Sequence, residues 1–279
     1  MSYKIVVDSC CDLPEEWKKD SRFEIVPLEL YIGDYQIWDD ENFDQVDFIK
    51  RVAESSQCAK TACPSPEKYM EAYNAPVDDV FVVTLSAKLS GSYNSAVLGK
   101  NLYYETYGHN KNIHICDSES ACCGETQIAM KAVELEEAGM PFEQIVEQLE
   151  AFRDALTTYF VLDNLETLRK NGRLTGVKAL VASTLSIKPV MGAEKGVIVQ
   201  RGQAVGMKKA LAKMADMVVK EMVNPEKKNL VITHVNCPQR AEKVKQMLVE
   251  KANFKGVYIH NAAGVGTVYA NDGGIVVTV

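Results

Sequence analysis

The sequence predicts an α/β protein of two domains. The N-terminal one is expected to carry a mostly parallel sheet flanked by helices, the C-terminal one a smaller mixed sheet. Three observations lead there. Short β-branched runs alternate with helical patterns through the first half, the order that gives parallel strands with right-handed crossovers. Residues 80–85 (VFVVTL) are almost wholly apolar, as in a strand covered on both faces. The pattern then changes near residues 155–160, beyond which a hairpin-like segment appears over 187–200. The domains are therefore expected over residues 1–157 and 158–279.

Residues 5–7 form the first strand run, and residues 24–32 (EIVPLELYI) a second, in which Pro27 favours an edge or a bulge. Residues 44–54 read as a helix. Ser65 before Pro66 suits a helix start, with the helix over 66–73. After strand 80–85 comes a helix over 92–104, a strand at 113–116, and helices over 123–138 and 142–156 separated by Gly139 and Pro141. Residues 159–162 form a short strand, followed by a short helix that stops at Asn171-Gly172, and then a helix or turn over 176–184. Strands at 187–191 and 197–200 flank Gly192 and Gly196 as a hairpin. Met207, Leu211, Met214, Met217 and Val218 recur near helical spacing in a helix over 207–222, a stripe that reads as core. A strand at 230–233, a helix over 238–252, and strands at 257–260 and 275–278 complete the chain.

The composition, 47% hydrophobic and 25% charged over 279 residues, is that of a globular protein with sequence enough for a buried core. A net charge of -7 argues against a nucleic-acid binder or a polybasic membrane anchor. No run approaches the roughly 18–20 apolar residues of a membrane span, and the N-terminus does not read as a signal peptide. A cytoplasmic protein is expected, without stable membrane insertion. Eight cysteines without a C-x-x-C pair then read as reduced, mostly structural thiols.

Three strands end in small polar residues before a helix: Asp8-Ser9, Ser86 and Asp117-Ser118. In open parallel sheets the ligand crevice lies beyond those ends, although Ser and Asp there also serve as helix caps. Ser90-Gly91-Ser92 before the helix over 92–104 is a natural anion seat, with free N–H groups, two hydroxyls and a helix dipole. Gly91 admits a close approach. The Lys and spacing of a P-loop are missing, so a carboxylate or single phosphate fits better than a nucleoside triphosphate. Thr61 to Pro66 is a second polar turn, and Arg173, just past Asn171-Gly172, is of the type that clamps a carboxylate through two hydrogen bonds.

In order along nearly the whole chain these pieces resemble the DegV family. Residues 5–9 are similar to its strand with terminal Asp-Ser, and Thr61 to Pro66 to its Thr-Ser-x-Pro-Ser turn with Ala62 for Ser. Ser86 to Tyr93 resembles its Ser-Ser-x-Leu-Ser-Gly-Thr-Tyr loop, and Asp117-Ser118 its Asp-Ser. Leu165 to Arg173 resembles its Leu-x-x-Leu-x-x-x-Gly-Arg, and Ile187-Lys188-Pro189 its Ile-Lys-Pro. The resemblance implies a long-chain fatty acid held between the domains. Its carboxylate would lie on Thr61 and Ser92, with Ser90, Gly91 and Arg173 close by. It also implies a separate fatty-acid kinase as partner, and no cofactor in this chain. Two departures stand out. The family's Gly-x-His-x-Gly-Pro-Gly has Val268 or Tyr269 at the His place and no Gly-Pro-Gly, and its Arg-Thr-Arg is replaced around Val205. Both bear on the kinase coupling and leave the carboxylate seat in place.

No catalytic or metal motif is expected. There is no G-x-S-x-G elbow and no H-E-x-x-H, and His234 with Cys237 is an incomplete ligand set. Two alternatives to a fatty-acid carrier stay open: a binder of another anionic lipid or small acid, and a hydrolase with Ser86, Ser90 or Ser92 as nucleophile and His234 as base.

Overall fold

The chain runs through thirteen strands and ten α-helices, with one 3-10 turn at Pro225–Lys227, among the residues described, 2–174 and 186–279, in a computed structural model. These are β1 (Tyr3–Asp8), α1 (Glu15–Lys18), β2 (Phe23–Val26), β3 (Glu29–Ile32), β4 (Tyr35–Trp38), α2 (Gln45–Glu54), β5 (Lys60–Ala62), α3 (Pro66–Tyr73), β6 (Asp79–Thr84), α4 (Ser92–Tyr107), β7 (Asn112–Asp117), α5 (Cys123–Glu137) and α6 (Phe142–Ala155). Then follow β8 (Thr158–Val161), α7 (Glu166–Lys170), β9 (Ile187–Glu194), β10 (Val197–Val205), α8 (Met207–Glu221), β11 (Asn229–His234), α9 (Pro238–Val249), β12 (Gly256–Asn261), α10 (Gly264–Ala270) and β13 (Ile275–Thr278). The helix or turn expected over 176–184 lies outside the described residues.

The apolar runs of the first half form a parallel sheet in the order β2-β1-β6-β7. All six residues of β6 are buried, the consequence of a central strand covered by helices on both faces. The run over 24–32 is not one strand. It breaks at Pro27, which lacks a ladder N–H; β2 stays in the parallel sheet and β3 turns into a separate antiparallel sheet, β4-β3-β5. That small sheet places Thr61 opposite Leu30.

The second sheet is mixed, as expected, but it is not the smaller one. It has six strands in the order β10-β9-β8-β13-β11-β12. The hairpin does not stand apart: β9 pairs with β8, which pairs in turn with β13 at the end of the chain. Lys195 and Gly196 turn the hairpin with φ of 48° and 77°, the positive values of a two-residue hairpin turn. The Met stripe is core: Leu211, Met214 and Val218 are buried against β8, β11 and β13, with Met207 and Met217 packed alongside. The two sheets meet across α5, whose Gln127 amide donates to Asn229 O and Thr278 Oγ1, both at 3.1 Å.

α3 and α4 touch at Gly99, where an added Cβ would lie 2.6 Å from Pro66 O and 2.7 Å from Tyr69 Cβ. Ala usually gains about 1 kcal/mol over Gly inside a helix. Here overpacking costs about 1–3 kcal/mol, and one clash is with backbone that has no rotamer to change. Gly99→Ala is expected to lower stability by about 1–2 kcal/mol in denaturant melts.

Candidate functional site: an apolar cavity with a polar end

The ends of β1, β6 and β7 lie side by side, with Val7 opposite Val83 and Thr84 opposite Asp117. Their polar groups, however, are spent on closing loops. Asp8 accepts from Cys10 N (3.1 Å), Leu85 N (2.9 Å) and Ser92 Oγ (2.6 Å). Ser86 Oγ donates to Gly196 O (2.9 Å), and Asp117 Oδ1 accepts from Ala87 N and Glu119 N. Ser118 Oγ donates to Ser120 O. Loop closure therefore accounts for these strand-end residues; the helix-cap role expected for them is not seen, since α1, α4 and α5 have no side-chain cap hydrogen bond.

Within the Ser-Gly-Ser turn the three residues part company. Ser92 is fully buried, its hydroxyl donating to Asp8 and paired with Tyr69 OH at 2.6 Å. Ser90 Oγ accepts from Ser92 N and faces a cavity. Gly91 is needed for a neighbour within the protein, since a Cβ would sit 3.0 Å from Cys63 Sγ. Neither Gly91 nor Ser92 lines the cavity that takes in Thr61, Ser90 and Arg173.

That cavity, narrow at about 100 Å³, is walled by residues from both sheets: Leu85 and Leu89 from the loop after β6, Phe160 and Leu162 from β8 and just beyond it, Ile198 from β10 and Val276 from β13. Leu168 of α7 and Val265 of α10 complete an almost wholly apolar wall. Polar groups converge at Thr61. Its hydroxyl lies 3.1 Å from Tyr269 OH, and the Arg173 guanidinium stands 5.6 Å from the centre of the Tyr269 ring. Arg173 is aimed by its own neighbours, with Nε donating to Leu89 O (3.0 Å) and Nη1 to Asn171 O (2.6 Å). The guanidinium is thereby held at the cavity, and a charged donor of this kind suits an anion.

Tyr269, which sequence reasoning placed with Val268 at the family's His position, was not counted among the ligand residues. It belongs to α10, a helix hidden in a glycine-rich run. Asp39 accepts from Gly264 N (2.7 Å) and Val265 N (2.9 Å), and Asp12 from Ala263 N (2.8 Å). Two buried carboxyls thus satisfy the first N–H groups of α10 and lock it against the N-terminal half. Gly264 is required there, because a Cβ would fall 2.4 Å from Leu30 Cδ1 and 2.6 Å from Asp39 Oδ1. Burial pushes both acids up, Asp12 to about 6 and Asp39 to about 7. Val268 is buried in the core beside Leu28 and Leu30, so of the two residues at the family's His place only Tyr269 faces the cavity. Tyr269→Phe removes one neutral donor, worth about 0.5–1.5 kcal/mol. It is expected to weaken binding of a carboxylate ligand about threefold to tenfold in titration calorimetry.

None of the candidate serine nucleophiles meets a histidine. Ser86, Ser90 and Ser92 have the partners given above, and His234 Nδ1 accepts from Cys237 N at 3.3 Å. Burial lowers the His234 pKa. Among the described residues no helix is long and apolar enough to cross a membrane.

A family model described as "Uncharacterised protein, DegV family" matches residues 2–279. A DegV domain-containing protein of Streptococcus pyogenes serotype M1 is 35% identical, over 99% of this chain and 98% of its own. Among solved structures, a DegV-family protein of Ruminococcus gnavus refined with vaccenic acid is similar at 53% identity and a TM-score of 0.97, with 100% of both chains covered. The Fatty Acid Kinase (Fak) B3 protein of Streptococcus pneumoniae, loaded with linoleic acid, is similar at 29% identity and a TM-score of 0.89, over 100% of this chain and 99% of that one. Family model, relatives and fold coincide from end to end, and the chain belongs to the DegV family.

Proposed function

We propose that this protein is a carrier of a long-chain fatty acid, with no catalytic step of its own. The reading rests on an apolar cavity, lined also by Glu119, Ser120 and Thr158, in which Thr61, Tyr269 and Arg173 cluster as a cationic, hydroxyl-bearing group. Ser90 lies at the same cavity. The carboxylate meets Arg173 and the two hydroxyls, and the acyl chain runs between the walls contributed by the two sheets. Each buried CH₂ contributes about 0.8 kcal/mol, so affinity rises with chain length for as long as the apolar wall continues. Gly91 and Ser92, expected beside the carboxylate, act through shape instead: Ser92 ties the start of α4 to Asp8, and Gly91 lets Cys63 close in.

The domains divide at residues 157 and 158, between α6 and β8, and the ligand lies between them. The likeness to the Fak B3 protein supports a fatty-acid kinase as partner, and the unpaired cysteines suit a cytoplasmic setting. The apolar wall favours an acyl chain over a small acid. Displacement of a fluorescent fatty acid by unlabelled acids of increasing length tests the reading. Affinity should climb steadily from short to long acids and fall when the acid is replaced by its methyl ester. Equal affinity for short and long acids would sink it.

A further inference from the structure

Cys237 Sγ, near His234 in the chain, is turned to Gly274 O. Among the described residues two other clusters gather three metal-ligating side chains. Asp8, Cys10 and Glu125 are fully buried, and both Asp8 oxygens already accept protein donors. The second cluster, His114, Cys116 and Glu150, is different in kind.

His114 and Cys116 are two apart on β7, the outer strand of the parallel sheet, so both side chains leave the same face. That face is covered by α6, which carries Glu150. The three ligand atoms lie within 4.8 Å of one another, and His114 Nε2 is 3.0 Å from Glu150 Oε1. Around a tetrahedral zinc ion with bonds of about 2.0–2.2 Å, a nitrogen and an oxygen ligand stand about 3.4 Å apart, so the pair opens by only a few tenths of an ångström. The other carboxylate oxygen, Oε2, is held by Arg153 at 2.7 Å, the kind of outer contact that orients a ligating carboxylate. The His114 and Glu150 side chains are 17% and 34% exposed, which leaves an entry path from solvent.

We propose that His114, Cys116 and Glu150 form a binding site for one zinc-type divalent cation, with water in the fourth position. One imidazole, one thiolate and one carboxylate match zinc and cobalt rather than magnesium or calcium, which take oxygen ligands. On binding, the Cys116 S–H bond breaks, the sulfur bonds the metal, and the proton passes to buffer. Arg153 and Lys100 are the nearby cations, and each is committed elsewhere: Arg153 to Glu150, Asp154 and Asp117 O, Lys100 to Ile113 O at 2.6 Å. This site is independent of the fatty-acid reading.

The test is titration of the full-length protein with Co²⁺, followed in the near ultraviolet and visible. One equivalent should bind, with a thiolate-to-cobalt charge-transfer band that Zn²⁺ abolishes. Cys116→Ser should lose the band, and Cys63→Ser, at an exposed thiol, should keep it. His114→Gln and Glu150→Gln, at partly exposed positions, should fold normally and weaken Co²⁺ binding by at least about tenfold. The proposal is overturned by a wild-type protein that shows no band at millimolar Co²⁺, by a band that survives Cys116→Ser, or by unchanged affinity in both His114→Gln and Glu150→Gln.

Discussion

Arg173→Ala is expected to weaken long-chain fatty-acid binding by about 10- to 100-fold, because hydrogen bonds to charged groups contribute about 1.5–3 kcal/mol. The size follows from where Arg173 is held. Leu89 O and Asn171 O fix the guanidinium at 3.0 and 2.6 Å, so little rotamer freedom is lost when an anion arrives. Arg173→Lys keeps the charge but cannot hold both carbonyls while standing over the Tyr269 ring, and should fall between wild type and alanine. For a fatty alcohol of equal length the wild-type and alanine proteins should differ by less than about threefold, since no full charge is present. Titration calorimetry with the acid and the alcohol separates a lost carboxylate contact from a damaged cavity. Equal losses for both ligands would mean that Arg173 serves packing alone.

Glu125→Gln should make the protein more stable at neutral pH. Glu125 lies in α5 with no exposed surface, its carboxyl beside Asp8 and Cys10 and without a cation among them. Burial first, and then the charge of Asp8, push its pKa well above the usual 4.5. A group whose pKa is raised on folding binds its proton more tightly in the folded state. Its stability contribution is therefore complete below about pH 4.5 and is lost as pH rises through the folded pKa. Gln removes that loss, because an amide never ionises. A gain in stability is expected at pH 7.5, and it should vanish near pH 4. Denaturant melts of both proteins across this range give the profile. A residual slope between about pH 4 and 7 should remain in the variant, since Asp12 and Asp39, raised to about 6 and about 7, titrate in the same direction. A variant less stable than wild type at pH 7.5 would show that Glu125 has a native partner that accepts its charge.

The repeating strand–helix order was legible because it is local. Residues 80–85 and the Met stripe of α8 each announce their environment within one element, and the structure buries both. What sequence reading missed depends on partners far away. The size of the mixed sheet turns on β8 meeting both β9 and β13, a pairing no single segment encodes. Ser92 looked like a ligand residue because a hydroxyl at a helix start is a ready anion donor; Asp8, 84 residues earlier, takes it instead. α10 was invisible because a seven-residue helix that opens Gly-Val-Gly carries little local helix signal. Gly264 is small because Asp39, 225 residues earlier in the chain, caps the helix there, and that capped helix turns Tyr269 toward Thr61 and Val268 into the core. Thr61, Ser90 and Arg173 were legible as polar residues at loop ends. Their meeting at one cavity was implied by the family resemblance and not by their own spacing, since it rests on the contact between two sheets.

The central claim is that the cavity carries a fatty acid whose carboxylate meets Arg173 and Tyr269. Native mass spectrometry of freshly purified protein, followed by denaturing extraction and identification of what is released, tests it most directly. The account predicts a one-to-one adduct with the mass of a long-chain fatty acid in wild type, and a reduced adduct in Arg173→Ala. An empty protein that takes up no added fatty acid, or an extracted ligand without an acyl chain, would contradict it.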